Sequence, residues 1–357
     1  MTASPQTPDP AHGAKVLLSD LTPGEIAEAT GLKPFQGAQI FRWLHRKGVF
    51  DSQAMTDLSK AVRRQLEATC LARQLTLLDC VAAPRRGAKK ALYELEDGRT
   101  VESVLLADRG RVTVCVSSQV GCELRCSFCA TGLGGFERNL GPGEIVEQAL
   151  HLLAPESLGG RAPNIVYMGM GEPFRNYEAV VKSIRLLMHP DGLGVGARKI
   201  TVSTAGDVPG IRRFAKEGWQ VRLAVSLHAA NDRLRSQLVP LNRKYPLGAL
   251  MKALRYYTAT SGRRFSIEWT LLKGVNDSAA HARDLAELLG DLRASVNLVP
   301  YNGVDAAPYA APTRAACHAF QSALEKRGIK ATVRRERGAD IDAACGQLRA
   351  RRRDRST

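Results

Sequence analysis

The stretch Val112-Thr113-Val114-Cys115-Val116-Ser117-Ser118-Gln119-Val120-Gly121-Cys122-Glu123-Leu124-Arg125-Cys126-Ser127-Phe128-Cys129 decides the fold. Its first six residues are largely apolar and β-branched, the pattern of a buried strand. A C-x3-C-x2-C loop follows directly. Thiolates are the soft ligands that iron–sulfur clusters require. Three protein ligands on a four-iron cubane leave one iron open. An open iron can chelate the amino and carboxylate groups of S-adenosylmethionine and pass it one electron. The competing reading of the loop is structural zinc. Zinc sites normally close with four ligands, and no fourth Cys or His lies nearby at finger spacing.

Outward from this loop, strands alternate with helices. Expected strands are Val112–Ser117, Asn164–Met168, Lys199–Ser203, Val221–Leu227, Phe265–Leu271 and Val296–Val299. Helical periodicity marks Glu144–Leu153, Tyr177–Met188, Val208–Lys216, Leu247–Ala259 and Ser278–Leu289. Six such units predict an α/β protein with a parallel sheet, curled by right-handed crossovers into a partial (βα)6 barrel. The motifs fall just after the strands, at the rim where parallel barrels place their chemistry. Upstream, Ala91–Leu95 and Thr100–Leu106 flank Asp97-Gly98, a hairpin signature. Residues 15–75 read as short helices. Downstream, Arg314–Lys326, Ile329–Arg335 and Ala339–Leu348 read helix–strand–helix. The expected organisation is a disordered leader (1–14), a helical accessory domain (15–80), a hairpin linker (81–110), the barrel (111–312), a C-terminal extension (313–349) and a basic tail (350–357).

The chain has 357 residues, 44% of them hydrophobic and 24% charged, which is ordinary for a globular protein. No apolar run reaches the length of a membrane span. Residues 1–13 are polar and Pro-rich, unlike a secretory signal. A cytoplasmic monomer without membrane contact is expected. The formal charge of +16 comes from 51 Lys+Arg against 35 Asp+Glu and points to a polyanionic partner, most simply nucleic acid. Residues 314–357 hold twelve Lys/Arg and five Asp/Glu, and the arginines near the end suit a phosphate-following arm or a solvated terminus equally well. A basic loop around Gly87 (Arg85, Arg86, Lys89, Lys90) is open to the same two readings. The eight cysteines do not form the pattern of a secreted disulfide framework.

The cysteine spacing is the signature of the radical S-adenosylmethionine superfamily, and further segments narrow the resemblance. Cys115–Cys122, Gly169-Met170-Gly171-Glu172-Pro173, Val202-Ser203-Thr204-Ala205-Gly206, Ser226-Leu227-His228-Ala229 and Asp340–Leu348 together resemble the RNA adenine-C2 methyltransferases, over residues 15 to 349. The resemblance implies a [4Fe-4S] cluster on Cys122, Cys126 and Cys129. It implies S-adenosylmethionine, two molecules per turnover, bound by Gly171, Glu172, Ser203, Ser226, Leu227, His228 and Asn302, with Phe128 beside the adenine. Residues of these types also serve as turns, core packing or a satisfied structural histidine. Asn302 is followed by Gly303, where the family pattern has Pro.

The resemblance further implies a role for two thiols outside the cluster spacing. C2 of adenine is an electron-poor sp2 carbon that cannot attack a sulfonium methyl, whereas a thiolate can. Cys345 would take the methyl group, a 5′-deoxyadenosyl radical would abstract a hydrogen from it, and the carbon radical would add to C2. Cys115 would then release the product through a transient disulfide. Glu102 matches the family's proton acceptor; otherwise it is a surface charge. The implied partners are large-subunit rRNA in the peptidyl transferase region, tRNA, and a flavodoxin- or ferredoxin-type electron donor. Three other functions stay open: methylation at adenine C8 by the sister group, which uses the same cysteines; a radical enzyme acting on protein or a small metabolite, against which the basic charge and the Cys115/Cys345 pair argue; and a non-catalytic RNA-binding protein with structural zinc.

Overall fold

In the computed structural model, which describes residues 15–84, 87–108, 110–153, 162–304, 307–334 and 341–348, ten strands join one sheet. They are β1 (Leu75–Ala82), β2 (Ala88–Leu95), β3 (Thr100–Asp108), β4 (Arg111–Val116), β5 (Asn164–Tyr167), β6 (Ile200–Thr204), β7 (Arg222–Ser226), β8 (Phe265–Leu271), β9 (Ala294–Pro300) and β10 (Ala331–Val333). Each pairs with its neighbours in sequence order. From β4 to β10 the pairing is parallel. From β1 to β4 it is antiparallel.

The sheet curls. Val104 of β3 and Val333 of β10 line one cavity of about 530 Å³, although they stand seven strands apart. At sheet spacing a flat array would separate them by roughly 30 Å. The architecture is therefore an open α/β barrel. Between its strands run α4 (Pro142–Leu153), α5 (Tyr177–Met188), α6 (Val208–Phe214), α7 (Leu247–Ser261), α8 (Ala279–Leu289) and α9 (Arg314–Glu325), following three N-terminal helices, α1 (Pro23–Thr30), α2 (Pro34–His45) and α3 (Lys60–Thr69). No helix among the described residues is long and apolar enough to cross a membrane.

Local chemistry sets these bounds. Thr22 and Glu25 form a capping box at α1, and Gly31 closes it at φ 67°. The α1–α3 unit is tied to the barrel by Glu147 of α4. Its carboxylate accepts hydrogen bonds from Ser19 Oγ (2.6 Å) and from the backbone N–H groups of Gln74 and Leu75 (both 2.9 Å). Burial pushes this carboxyl up to about 7 against those donors.

Three expectations need correction. The hairpin is not a separate linker: β2 and β3 continue the barrel sheet, and β1 adds a strand where the helical domain was expected to reach residue 80. A register shift between Leu77 and Asp79 breaks the alternation that would have revealed β1. Ile341 lies in a 3-10 turn, and residues 342–348 are turns, bends and loop rather than α-helix. Asp342 (φ 52°) and Gly346 (φ 86°) leave helical space, and the carbonyls of Gly346 and Leu348 bond to distant partners instead of the next turn. The expected leader (1–14), the tail (350–357), Arg85 and Arg86 lie outside the described residues.

Candidate active site

The three-cysteine loop leaves β4 through a tight turn. Gly121 sits at φ 73°, and a Cβ there would collide with the Gly135 carbonyl, which accepts the Cys122 N–H at 2.6 Å. Arg125 turns the chain again at φ 52°. Ser127 N–H donates to Leu238 O (3.1 Å), Cys129 N–H to Cys126 O (3.2 Å), and Cys129 opens the one-turn helix Ala130–Leu133. Leu124 and Phe128 anchor the loop in an apolar cluster with Leu238, Val239 and Tyr301, separate from the main core.

The three thiols face a cavity of about 160 Å³ on the C-terminal side of the strands. Burial pushes Cys122 up to about 12 and raises Cys126 and Cys129; Cys129 adds to the shift of the other two. Among the described residues no three His, Cys, Asp or Glu converge closely enough to hold a single ion. Three soft donors around a shared cavity fit a polynuclear iron–sulfur cluster better than one zinc ion.

Gly171, Glu172, Ser203, Ser226 and His228 line the same cavity. Gly171 has φ 100°, and a Cβ on it would lie 2.6 Å from Gln119 Cβ. Glu172 is fixed by Ala205 N–H (2.7 Å) and Phe174 N–H (3.3 Å), and its own N–H donates to Gln119 Oε1 (2.8 Å). Burial raises its carboxyl to about 7. Ser203 Oγ and Ser226 Oγ stand 3.4 Å apart on adjacent strands. His228, at φ 61°, accepts Thr270 N–H on Nδ1 (2.9 Å), which leaves its proton on Nε2. Burial, then Arg235, hold it down at about 3, so the ring is neutral. Phe128 packs edge-on against it at 4.7 Å.

Two expected cofactor contacts sit elsewhere. Leu227 is fully buried and lines neither cavity; its N–H bonds to Glu268 O and its carbonyl to Arg235 Nε. Asn302 lines the 530 Å³ cavity, and its Oδ1 is buried without a hydrogen-bond partner. An unsatisfied buried acceptor is costly, so this oxygen marks a place for a ligand donor.

Cys115 and Cys345, 230 positions apart, meet in the 530 Å³ cavity. Burial, then the Cys345 sulfur, push Cys115 up to about 12. Cys345 is exposed, and with Cys129 it lines both cavities. Its segment is pinned to the cysteine loop: Ala130 N–H donates to Gly346 O (2.7 Å) and Thr131 Oγ1 to Leu348 O (2.6 Å). Gln347 Nε2 donates to Gly303 O (3.0 Å).

Glu102 is not a surface charge. It is buried on β3 and paired with Lys90 Nζ at 3.0 Å, and Lys90 also reaches Asp342 O (3.3 Å). Strand alternation puts it on the face of Val104 and Leu106, both of which line the larger cavity, but Glu102 itself lines neither.

Sequence reasoning missed two residues. Arg334, one residue past β10, lines the same cavity as Cys115 and Cys345 and sits within electrostatic reach of both, with Glu268 Oε2 at 3.8 Å. Fully buried Arg235 ties the strand ends together through Leu227 O (3.1 Å), Ala205 O (2.5 Å) and Asn242 Oδ1 (2.9 Å). Neither lies in a motif, so no local signal could have found them.

Comparison with known proteins adds independent findings. The radical SAM superfamily pattern matches residues 116–286, and that of the ribosomal RNA large subunit methyltransferase N-terminal domain matches residues 22–71. The chain is 46% identical over 343 residues to a probable dual-specificity RNA methyltransferase RlmN of Geobacillus kaustophilus, covering 94% of this chain and 93% of the relative. A protein of the same name from Bacillus subtilis is 45% identical over 330 residues, covering 92% and 90%. A crystal structure of a radical SAM methyltransferase from Sphaerobacter thermophilus superposes with a TM-score of 0.91 at 48% identity, covering 94% of this chain and all of that one.

Proposed function

The chain belongs to the RlmN family of radical SAM methyltransferases, and on that footing we propose that it methylates C2 of an adenine in large-subunit rRNA, and in tRNA, through Cys345 and Cys115. It would act in the cytoplasm as a monomer, with a flavodoxin- or ferredoxin-type electron donor. The observation that carries this reading is the position of Cys345. Cys345 borders both the cavity of the three cluster-spaced cysteines and the cavity of Cys115.

Cys122, Cys126 and Cys129 would hold a [4Fe-4S] cluster, and Gly171, Glu172, Ser203, Ser226 and His228 line the space for S-adenosylmethionine. When bound, these groups supply an electron, a methyl donor and a 5′-deoxyadenosyl radical. Neutral His228 offers an Nε2 proton as a donor and adds no positive charge beside a sulfonium. Asn302 offers an acceptor, whereas the N–H and carbonyl of Leu227 are already engaged by Glu268 and Arg235.

Cys345 carries the methyl group as a thioether between the two cavities. Once its carbon is bonded to the base, the base radical would give up its unpaired electron to an acceptor such as the oxidised electron donor, and the C2 proton would pass to Glu102. Cys115 then attacks the Cys345 sulfur: an S–S bond forms, the S–C bond breaks with its electron pair going to the methylene carbon, that carbon takes a proton to become the methyl group, and the methylated base leaves. A thiol reductant returns two electrons to the disulfide. Burial keeps Cys115 protonated until this step, and Arg334 supplies the positive charge that its thiolate needs.

The test uses anaerobically reconstituted protein, S-adenosylmethionine, reductant and unmodified rRNA fragments. Mass mapping should find the methyl on adenine C2; a methyl on C8 would reassign the protein to the sister activity. Cys115→Ala should retain RNA covalently on a denaturing gel. Clean turnover by that variant would overturn the two-thiol scheme.

A further inference from the structure

The opposite mouth of the barrel carries a feature that the chemistry above does not use. A cavity of about 1190 Å³ opens at the N-terminal ends of the strands. Its lining includes Arg111, Arg198, Arg222, Arg264, Arg293 and Lys330. Arg111 and Arg222 are the first residues of β4 and β7. Arg264, Arg293 and Lys330 each immediately precede β8, β9 and β10, and Arg198 stands two residues before β6. Strand after strand thus begins on a cation, and the curl of the sheet gathers these ends into a ring.

All six side chains are exposed. Among the described residues none of the six has an ion pair with a carboxylate, and Glu268, which faces Arg334, is the one acidic group lining the cavity. The helices run antiparallel to the strands, so their C-termini lie at this end; α7 ends at Ser261, which is itself in the lining. Helix C-termini favour nearby cations, but only by about 0.3–1 kcal/mol each at the surface. That offsets part of the mutual repulsion of six unpaired cations around one mouth and leaves the rest for an anionic ligand.

The cavity also leads inward. Val166, Met168, Thr332 and Arg334 line both it and the chamber that holds Cys115 and Cys345. An enzyme that modifies a base must draw it out of its stack, and the flanking phosphates must then be held outside the pocket.

We propose that this mouth is the entrance for RNA: the ring of Arg111, Arg198, Arg222, Arg264, Arg293 and Lys330 binds the phosphodiester backbone on either side of an extruded adenine, whose base passes Arg334 to reach the two cysteines. The inference rests on the proposed RNA-methylating function and adds the route and the residues of substrate binding. It makes the barrel two-ended, with cofactor at the C-terminal rim and RNA at the N-terminal rim.

The test measures binding of a fluorescent single-stranded RNA carrying one central adenine to the reconstituted holoenzyme across a range of salt. The triple variant Arg222→Ala/Arg264→Ala/Arg293→Ala should weaken binding at least ten-fold and lower the slope of log affinity against log salt by about 2, given ~0.7 per phosphate contact on a single strand. The control Arg185→Ala/Lys252→Ala/Arg283→Ala removes the same charge from exposed positions on α5, α7 and α8 and should change neither quantity by as much. Equal losses in the two triples would overturn the entrance. Cleavage of S-adenosylmethionine without RNA is scored in parallel. Holoenzyme that cleaves the cofactor but binds RNA equally well with the ring removed sinks this inference alone. Holoenzyme that needs the ring for RNA but cleaves no cofactor supports the entrance and sinks the proposed chemistry.

Discussion

Arg334 is the side chain on which the two remote sulfurs converge, and it sets the sharpest expectation at the scale of single residues. Arg334→Met removes the positive charge beside both sulfurs, an interaction with a charged group worth about 1.5–3 kcal/mol. Resolution of the RNA adduct by Cys115 should slow roughly ten- to hundred-fold, read as covalently retained RNA in a time course, and Arg334→Lys should recover part of the rate. An adduct lifetime equal to wild type would remove Arg334 from the resolving step. Gly171→Ala forces a Cβ into φ 100° and against Gln119. A cost of about 1–3 kcal/mol is expected, seen as a lower thermal midpoint together with weaker S-adenosylmethionine binding; an unchanged midpoint would mean that the loop relaxes freely. At this scale the spacing of Cys122, Cys126 and Cys129 was legible because one loop carries all three donors. Arg334 and Arg235 were not, because their partners come from other elements.

The elements are held to one another by a few buried polar contacts. Glu147 joins α4 to the backbone after α3, and its carboxyl is raised from the ordinary 4.5 to about 7 by burial. A raised carboxyl contributes stability that is fully present below the unfolded value and lost as pH rises through the folded one. Relative to Glu147→Gln, wild-type thermal stability should therefore fall between about pH 4.5 and pH 7. A difference independent of pH would show that the three hydrogen-bond donors, not burial, govern this group. Thr131 does the equivalent work for the Cys345 segment. Thr131→Val deletes its bond to Leu348 O, worth about 1 kcal/mol. Alkylation of Cys345 should quicken several-fold while methyl transfer slows; equal alkylation rates would count against the pin. Ala339–Leu348 read as helical, but within the described residues 341–348 the carbonyls of Gly346 and Leu348 are taken by Ala130 and Thr131, and Asp342 and Gly346 are left-handed.

Across the whole molecule the charge is distributed by topology rather than by any one segment. Six cations spread from Arg111 to Lys330 meet at one mouth because parallel strands start at the same end. RNA affinity of the wild-type holoenzyme should drop roughly hundred-fold or more between 50 and 200 mM salt; a shallow dependence would mean that the ring is not a phosphate surface. The alternation of strand and helix, the barrel class and the three-thiol loop were all determined by the sequence, since each follows from periodicity or spacing within a short window. What only the tertiary structure decided is the company kept across long separations: Cys115 with Cys345 and Arg334, Glu102 with Lys90, β1–β3 with the barrel sheet, and the basic ring itself. The physical reason is the curl of the sheet. It brings strand ends that are remote in sequence around common cavities, and nothing local in the chain records which side chains will meet there.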